Sequence, residues 1–140
     1  MAAINQRRVL LSALAGFAVW AIWSGVLNFA VLASRYPMEQ EAGHLLKNQP
    51  YSLYLGSWFL VIFMLSLIAA QFYAWARATL GPGTRTALTV GSVFALAVAL
   101  PIEVTTSRFT IDHTFTICWL GDLVVGTVLA TQVAGWLYRD

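Results

Sequence analysis

Residues Val9 to Ala33 read VLLSALAGFAVWAIWSGVLNFAVLA, a stretch without a charged side chain. An α-helix needs about 20 consecutive apolar residues to cross the roughly 30 Å hydrocarbon core of a bilayer. The stretch therefore predicts a transmembrane helix.

Three further apolar runs follow, and the segments between them hold the turn-forming residues and most of the charge. These runs do not alternate apolar and polar residues, as the strands of a membrane barrel do. Inside lipid every backbone polar group must be satisfied within the span, so helices are expected. The sequence predicts an all-α fold, a four-helix transmembrane bundle that forms a single domain over residues 1–140. Its predicted spans are residues 9–33, 52–76, 86–104 and 115–138.

Composition points to the same class of protein. Hydrophobic residues make up 59% of the chain and charged residues 10%, with a mean hydropathy of +0.72, whereas soluble domains carry about 25% charged residues. The net charge of +2 comes from basic residues scattered in ones and twos, without the basic stripe that nucleic acid requires. Nucleic acid is therefore not an expected partner. Cys118 is the single cysteine, which excludes an intrachain disulfide and a two-cysteine metal or redox site.

Orientation follows from the basic residues near the span ends, because these favour the cytoplasm. Placing both termini inside leaves only three basic residues outside. The five residues then on the cytoplasmic side are Arg7, Arg8, Arg77, Arg85 and Arg139. The first outer loop carries Glu39 and Glu41 in the turn after Pro37, a pattern typical of a helix start. We therefore expect an N-in and C-in bundle with a short interfacial helix in the first outer loop.

A few polar side chains interrupt the apolar spans, where a charge at mid-bilayer costs roughly 2.5–3.5 kcal/mol on insertion scales. Counting the helical rise from the span ends puts Asn28 and Asp122 at the same depth, on the order of 10 Å below the outer surface. Glu103 lies nearer that surface. Gln71 and Gln132 form a second pair at a similar depth from the inner surface. The polar residues thus fall in two layers.

The first and fourth spans are expected to be neighbours. Small residues at Ala21 and Gly25 in the first span, and at Gly126, Ala130 and Ala134 in the fourth, would let two helix backbones approach closely. By helical spacing Asn28 lies on the first of these faces and Asp122 on the second.

Two interpretations of these residues stay open at this point. In the first, Asn28 and Asp122 bond to each other and fasten two helices, a structural role. In the second, Asp122, Glu103 and Asn28 line an outward-facing polar cavity that binds a proton or a cation, with Trp119 on the same stripe as Asp122. Arg108, on the loop after Glu103, would neutralise a carboxylate and so favour the structural interpretation.

No motif for catalysis or for a bound cofactor is present. The two histidines, His44 and His113, fall in predicted outer loops, and no spacing places two metal ligands on one helical face. The sequence likewise lacks a GxSxG nucleophile motif and a phosphate-binding loop. We expect no metal and no cofactor, and a non-enzymatic function is favoured.

The segments that carry a family resemblance are Asn28-Phe29 with Arg35-Tyr36, the turn from Leu80 to Leu88, and the final span from Trp119-Leu120-Gly121-Asp122 to Arg139. They resemble a family of small four-span bacterial membrane proteins of unknown function, in a layout that covers nearly the whole chain. The resemblance implies a multi-pass protein of the bacterial inner membrane. The resemblance implies no activity and assigns no site residue.

Two functions from different classes follow from these observations. The favoured one is a structural or accessory subunit that is embedded in membrane lipids and associates with itself or with a larger membrane-protein complex. The alternative is a transporter or small-ligand-binding protein that uses the outward-facing carboxylate site.

Overall fold

The computed structural model of the chain describes residues 4–48 and 53–138. Every regular element in this part of the chain is helical, and four helices are long and apolar enough to cross a membrane. The predicted all-α four-helix bundle is therefore confirmed. The elements are α1 (Gln6–Val26), a π-helical segment that continues it (Leu27–Leu32), α2 (Tyr36–Glu41), α3 (Tyr54–Leu80), α4 (Thr84–Thr106) and α5 (His113–Leu137). The predicted start of the second span at residue 52 lies outside the described residues, as does Arg139.

A glycine turn joins α3 to α4. Gly81 and Gly83 have φ angles of +83° and +129°, which residues with a Cβ rarely adopt. The Gly83 N–H donates to the Tyr73 hydroxyl at 3.0 Å, and the Thr86 hydroxyl donates to the Gly81 carbonyl at 2.8 Å. These bonds fix the turn, so α3 and α4 run antiparallel as a hairpin.

The two ends of the described chain meet at one end of the bundle. The Asn5 N–H donates to the Tyr138 hydroxyl at 3.0 Å, and the Arg77 guanidinium donates to the Tyr138 carbonyl at 2.7 Å. The rings of Tyr73 and Tyr138 pack edge to face, 6.5 Å apart. We call this end, which also carries the Gly81–Gly83 turn, the terminal end. That it faces the cytoplasm stays a prediction.

The opposite end, which we call the distal end, carries α2 and the connection between α4 and α5. The Arg35 guanidinium pairs with Asp112 at 2.6 Å, and the Tyr36 ring packs on Phe115 at 5.1 Å. Asp112 also caps α5 by accepting from the Thr114 N–H at 2.9 Å. This backbone bond, helped by the Thr114 hydroxyl and by Arg35, holds the pKa of the Asp112 carboxyl below its ordinary value. The short helix predicted between the first two spans is confirmed as α2, whereas its position at the outer membrane interface stays a prediction.

Helix α1 packs against α3 and α5, and α4 packs against the same two helices. The predicted contact between the first and last spans is therefore confirmed, but its position is different. A Cβ at Gly16 would lie 3.1 Å from the Ala130 Cβ, whereas one at Gly25 would meet nothing within 4 Å. The prediction of a close approach at Ala21 and Gly25 is wrong, because the buried side of α1 is the one that carries Gly16 and Trp20.

Candidate functional site

Asp122 is the buried acid of the bundle, with 3% of its surface exposed. Its Oδ1 accepts from the Trp20 indole N–H at 3.1 Å, and its Oδ2 accepts from the Ser24 hydroxyl at 2.9 Å. Trp20 and Ser24 lie one turn apart on α1, so both face α5. A carboxylate buried in a low-dielectric surrounding needs such donors, because leaving it unbonded is costly. The two oxygens of Asp122 therefore join α5 to α1.

Two further tryptophans from α1 and α3 surround this contact. The Trp58 indole N–H reaches the Ser24 hydroxyl oxygen at 3.4 Å, and the Trp23 indole N–H reaches the Gly121 carbonyl at the same distance. Ser24 thus donates to Asp122 and accepts from α3. The site therefore links three of the four long helices.

Gly126 makes the close approach of Trp20 to α5 possible. A Cβ built on Gly126 would lie 2.1 Å from the Trp20 Nε1, which is nearer than real Cβ atoms come to any neighbour. The Trp20 side chain is fully buried and also packs with Ile62 and Leu123. Because Gly126 has no side chain, the indole lies against the α5 backbone and reaches Asp122 one turn away.

Asn28 bonds to a different set of atoms than the sequence predicted. Its amide donates to the Ser24 carbonyl at 2.9 Å, and its Oδ1 accepts from the Tyr36 hydroxyl at 2.9 Å. The structural interpretation is wrong in pairing Asn28 with Asp122, because Ser24, one turn earlier on the same helix, already donates to the carboxylate. Burial raises the pKa of Tyr36, so its hydroxyl stays a donor.

Asn28 belongs to the π-helical segment Leu27–Leu32, which follows α1 without a break. Segments of this kind are rare and often mark functional sites. The bonds through Ser24 and Asn28 connect Asp122 with Tyr36 on α2. A column of polar residues therefore runs from the buried carboxylate to the distal end, in which Ser24 bonds to Asp122 through its hydroxyl and to Asn28 through its backbone carbonyl.

Glu103 and Arg108 are not joined to Asp122. Both side chains are exposed, and neither forms a hydrogen bond or an ion pair with another described residue. Trp119 is half-buried and packs edge to face on Phe115 at 5.8 Å, in the apolar cluster of the distal end. Of the predicted outer site residues, the polar contacts link only Asn28 with Asp122, and they do so through Ser24.

The inner glutamines are not hydrogen-bonded to each other. The Gln132 amide donates to the Thr84 carbonyl at 3.3 Å, which ties α5 to the start of α4. Gln71 is half-buried on α3 and forms no hydrogen bond with another described residue. Gln132 therefore belongs to the helix packing of the terminal end.

The contacts of Asp122 accommodate both protonation states. An ionised Asp122 accepts from Trp20 and Ser24, as described above. A protonated Asp122 would donate from Oδ2 to the Ser24 oxygen, because a hydroxyl is both donor and acceptor. Within the described residues no three His, Cys, Asp or Glu side chains lie close enough together to hold a metal ion. The site is thus a hydrogen-bonding site built around one acid.

Sequence reasoning missed Trp20 and Trp58. Trp58 lies near a span end, where tryptophan is typical of the membrane interface, and Trp20 lies in mid-span, where nothing in the sequence marks an indole as the donor to a buried acid. The pairing of Asp122 with Gly126, one turn apart on α5, was the available signal. An acid beside a glycine leaves room for a large donor on the neighbouring helix.

The fold and this site define an all-helical, multi-pass membrane protein with an intramembrane carboxylate held by a neighbouring helix. Comparison with protein-family models, with curated proteins and with solved structures gives no match.

Proposed function

We propose that this chain is a non-enzymatic structural or accessory subunit of a membrane, in which Asp122 fastens α1 to α5. Its working surface is the outside of the bundle, which contacts lipid, further copies of the chain or a larger membrane-protein complex. In line with the family resemblance, the membrane is the bacterial inner membrane, with the terminal end in the cytoplasm.

This proposal rests on the hydrogen bonds that the Asp122 carboxylate accepts from the protein itself. Both oxygens accept from side chains of α1, and the Trp20 ring fills the space against Gly126. Asp122 lines neither the cavity of about 320 Å³ beside Arg77 nor the cavity of about 510 Å³ beside Phe72. An acid surrounded in this way by protein donors serves helix packing.

The apolar outer surface of the bundle supports lipid and other membrane proteins as its partners. Large apolar side chains are exposed on the long helices, such as Phe29 with 83% of its surface and Ile117 with 68%. Such a surface is stable only in lipid or against another apolar protein surface. The chain therefore functions within the membrane plane.

A second candidate is a transporter that carries protons or cations through the Asp122 site. The observation in its favour is the polar column from Asp122 through Ser24 and Asn28 to Tyr36, since intramembrane acids often mark ion pathways.

Asp122→Asn separates the two functions. The carboxamide keeps an acceptor for Trp20 and offers an N–H to the Ser24 oxygen, so the contact between α1 and α5 persists without the charge. We expect the thermal unfolding temperature and the particle mass in nanodiscs to match those of the wild type. We expect Asp122→Leu, which leaves the indole and the hydroxyl unpaired, to lose about 2–4 kcal/mol of the free energy of unfolding.

Flux measurements in proteoliposomes complete the experiment. The structural proposal predicts no pH-driven cation or proton flux above that of empty liposomes, for wild type, Asp122→Asn and the exposed-acid control Glu103→Gln alike. A flux in the wild type that Asp122→Asn abolishes and Glu103→Gln retains would establish the transporter and overturn the structural proposal.

A further inference from the structure

Helix α4 presents an apolar stripe on the side that faces away from α5. Its buried side includes Gly91, where an added Cβ would lie 3.1 Å from the Thr131 Cβ of α5. On the other side four apolar residues are exposed, and the three large ones have 58% to 66% of their surface exposed. We call this set the α4 stripe, and it consists of Val93, Ala97, Leu100 and Val104. The described part of the chain leaves it open.

The residues of the α4 stripe are spaced four, three and four positions apart. Two apolar positions in every seven are the pattern with which two helices pack side by side in a left-handed supercoil. The small side chain of Ala97 lets two backbones approach closely in the middle of the stripe. Apolar residues alone do not identify an interface, because lipid covers them equally well. The charged residues beside the stripe decide between lipid and protein.

Two opposite charges flank the distal half of the α4 stripe. Glu103 and Arg108 are exposed, and neither side chain forms a hydrogen bond or an ion pair with another described residue. The helical path continues to Arg108, since its N–H donates to the Thr105 carbonyl at 3.3 Å. Residues five positions apart point to different sides of a helix with 3.6 residues per turn. Glu103 and Arg108 therefore lie on the two edges of the stripe and do not meet within one chain.

The spacing of these charges fits a parallel pair of α4 helices. In such a pair, a residue at one edge of the stripe faces the residue five positions later at the opposite edge of the other helix. Glu103 and Arg108 have this spacing and opposite charge. Two copies of the chain that insert in the same orientation have parallel α4 helices. Twofold symmetry then gives two identical ion pairs.

The terminal half of the α4 stripe borders a groove that adds room for a second helix. This groove is the cavity of about 510 Å³ between α3 and α4, and Val93 and Ala97 line it together with Phe72 and Trp75. Its lining is mainly apolar, so it accepts apolar side chains from a neighbouring chain. The stripe and the groove form one continuous surface.

We propose that the α4 stripe binds the α4 stripe of a second copy in a parallel dimer, in which Glu103 of each copy pairs with Arg108 of the other. The proposal rests on the proposed structural function and deepens it, because it names the surface of self-association. The apolar stripe supplies the area of contact. The two charge pairs fix the register and the orientation of the helices.

Charge exchange between two copies tests this pairing. Full-length chains labelled with a donor or an acceptor dye are reconstituted in liposomes over a range of protein-to-lipid ratios, and energy transfer reports the dimer. Glu103→Arg and Arg108→Glu each make both pairs repulsive and are expected to weaken dimerisation about tenfold. An equimolar mixture of the two variants makes both pairs attractive again and is expected to dimerise as the wild type does. Such rescue shows that each variant is folded and inserted.

Glu41→Arg is the matched control for the charge variants. Glu41 is an exposed acid of α2 at the same end of the bundle, away from α4. This variant reverses the same charge and is expected to dimerise as the wild type does. An equal loss of dimer in Glu41→Arg and Glu103→Arg would overturn the specific pair.

Cysteine crosslinking tests the stripe without changing a charge. In a Cys118→Ala background, Leu100→Cys lies on the α4 stripe, and Ile102→Cys lies two positions further, on the opposite side of the helix. We expect an oxidant to link Leu100→Cys chains into dimers in isolated membranes and to leave Ile102→Cys chains monomeric. Equal crosslinking at both positions would contradict the α4 contact.

Three results of the liposome experiment would overturn the dimer. These are a wild type that stays monomeric at every ratio, charge variants that dimerise as well as the wild type, and a mixture of variants that stays apart. None of these results bears on the structural function itself, which the flux measurement decides.

Discussion

Trp20→Ala is expected to lower the free energy of unfolding by about 4 kcal/mol, the largest effect of any single substitution that we predict. The change removes a fully buried ring that packs with Ile62 and Leu123 and also removes the donor to Asp122. The measurement is reversible unfolding in mixed detergent micelles. Trp20→Phe keeps most of the packing and lacks the N–H, so it should lose about 1–3 kcal/mol, the cost of an unpaired acceptor.

Trp75→Ala is the matched control, because Trp75 lies on α3 with 55% of its surface exposed. It should change the free energy of unfolding by less than about 1 kcal/mol. Equal effects of Trp20→Ala and Trp75→Ala would contradict the assignment of Trp20 to the interior contact between α1 and α5.

Gly126→Ala is expected to cost about 2–3 kcal/mol, although it adds a single methyl group. The new Cβ would lie 2.1 Å from the Trp20 Nε1 and 2.3 Å from two ring carbons. The buried indole has no space to swing away, so either α5 moves or the bond to Asp122 breaks. The same unfolding measurement reports the effect.

Gly121→Ala provides the comparison for Gly126→Ala on the same helix. A Cβ at Gly121 would meet nothing within 4 Å, so this variant should be neutral or slightly more stable. Equal free energies of unfolding for Gly121→Ala and Gly126→Ala would contradict the close packing of Trp20 on Gly126.

The helical spans could be predicted from the sequence because lipid leaves few alternatives. A run such as residues 9–33 is long enough to cross the bilayer, and only a helix satisfies its backbone there. The burial of Asp122 followed for a related reason, since an acid inside such a run has to face protein. The contact between α1 and α5 followed from the small residues on both helices.

The rotation of α1 about its own axis could not be predicted. A span that is apolar on all sides gives no periodic signal for its buried face, so the small residues Ala21 and Gly25 were taken as the close contact. Side-chain shape decides this rotation, because the indole of Trp20 fits only where Gly126 leaves room. For this reason the sequence identified neither the buried face of α1 nor Trp20 as a donor to Asp122.

The π-helical segment also had no sequence signal. Residues 27–32 are apolar apart from Asn28 and resemble any stretch of a span. The bond of Asn28 to Tyr36 depends on where α2 lies, which is a tertiary property. The charge pattern likewise led to Glu103 and Arg108 as partners of the site, whereas their side chains lie on the exposed surface.

Disulfide formation between α1 and α5 tests the central claim, that these helices pack face to face around Asp122 within one chain in the membrane. In a Cys118→Ala background, Gly16→Cys and Ala130→Cys place two Cβ atoms about 3.1 Å apart, close to the roughly 3.5–4.5 Å of a disulfide. We expect an oxidant to convert most of the double variant in isolated membranes into an internally crosslinked chain. The exposed Ala18→Cys paired with Ala130→Cys should stay reduced. Failure of the first pair to crosslink, or equal crosslinking of both pairs, would contradict the account.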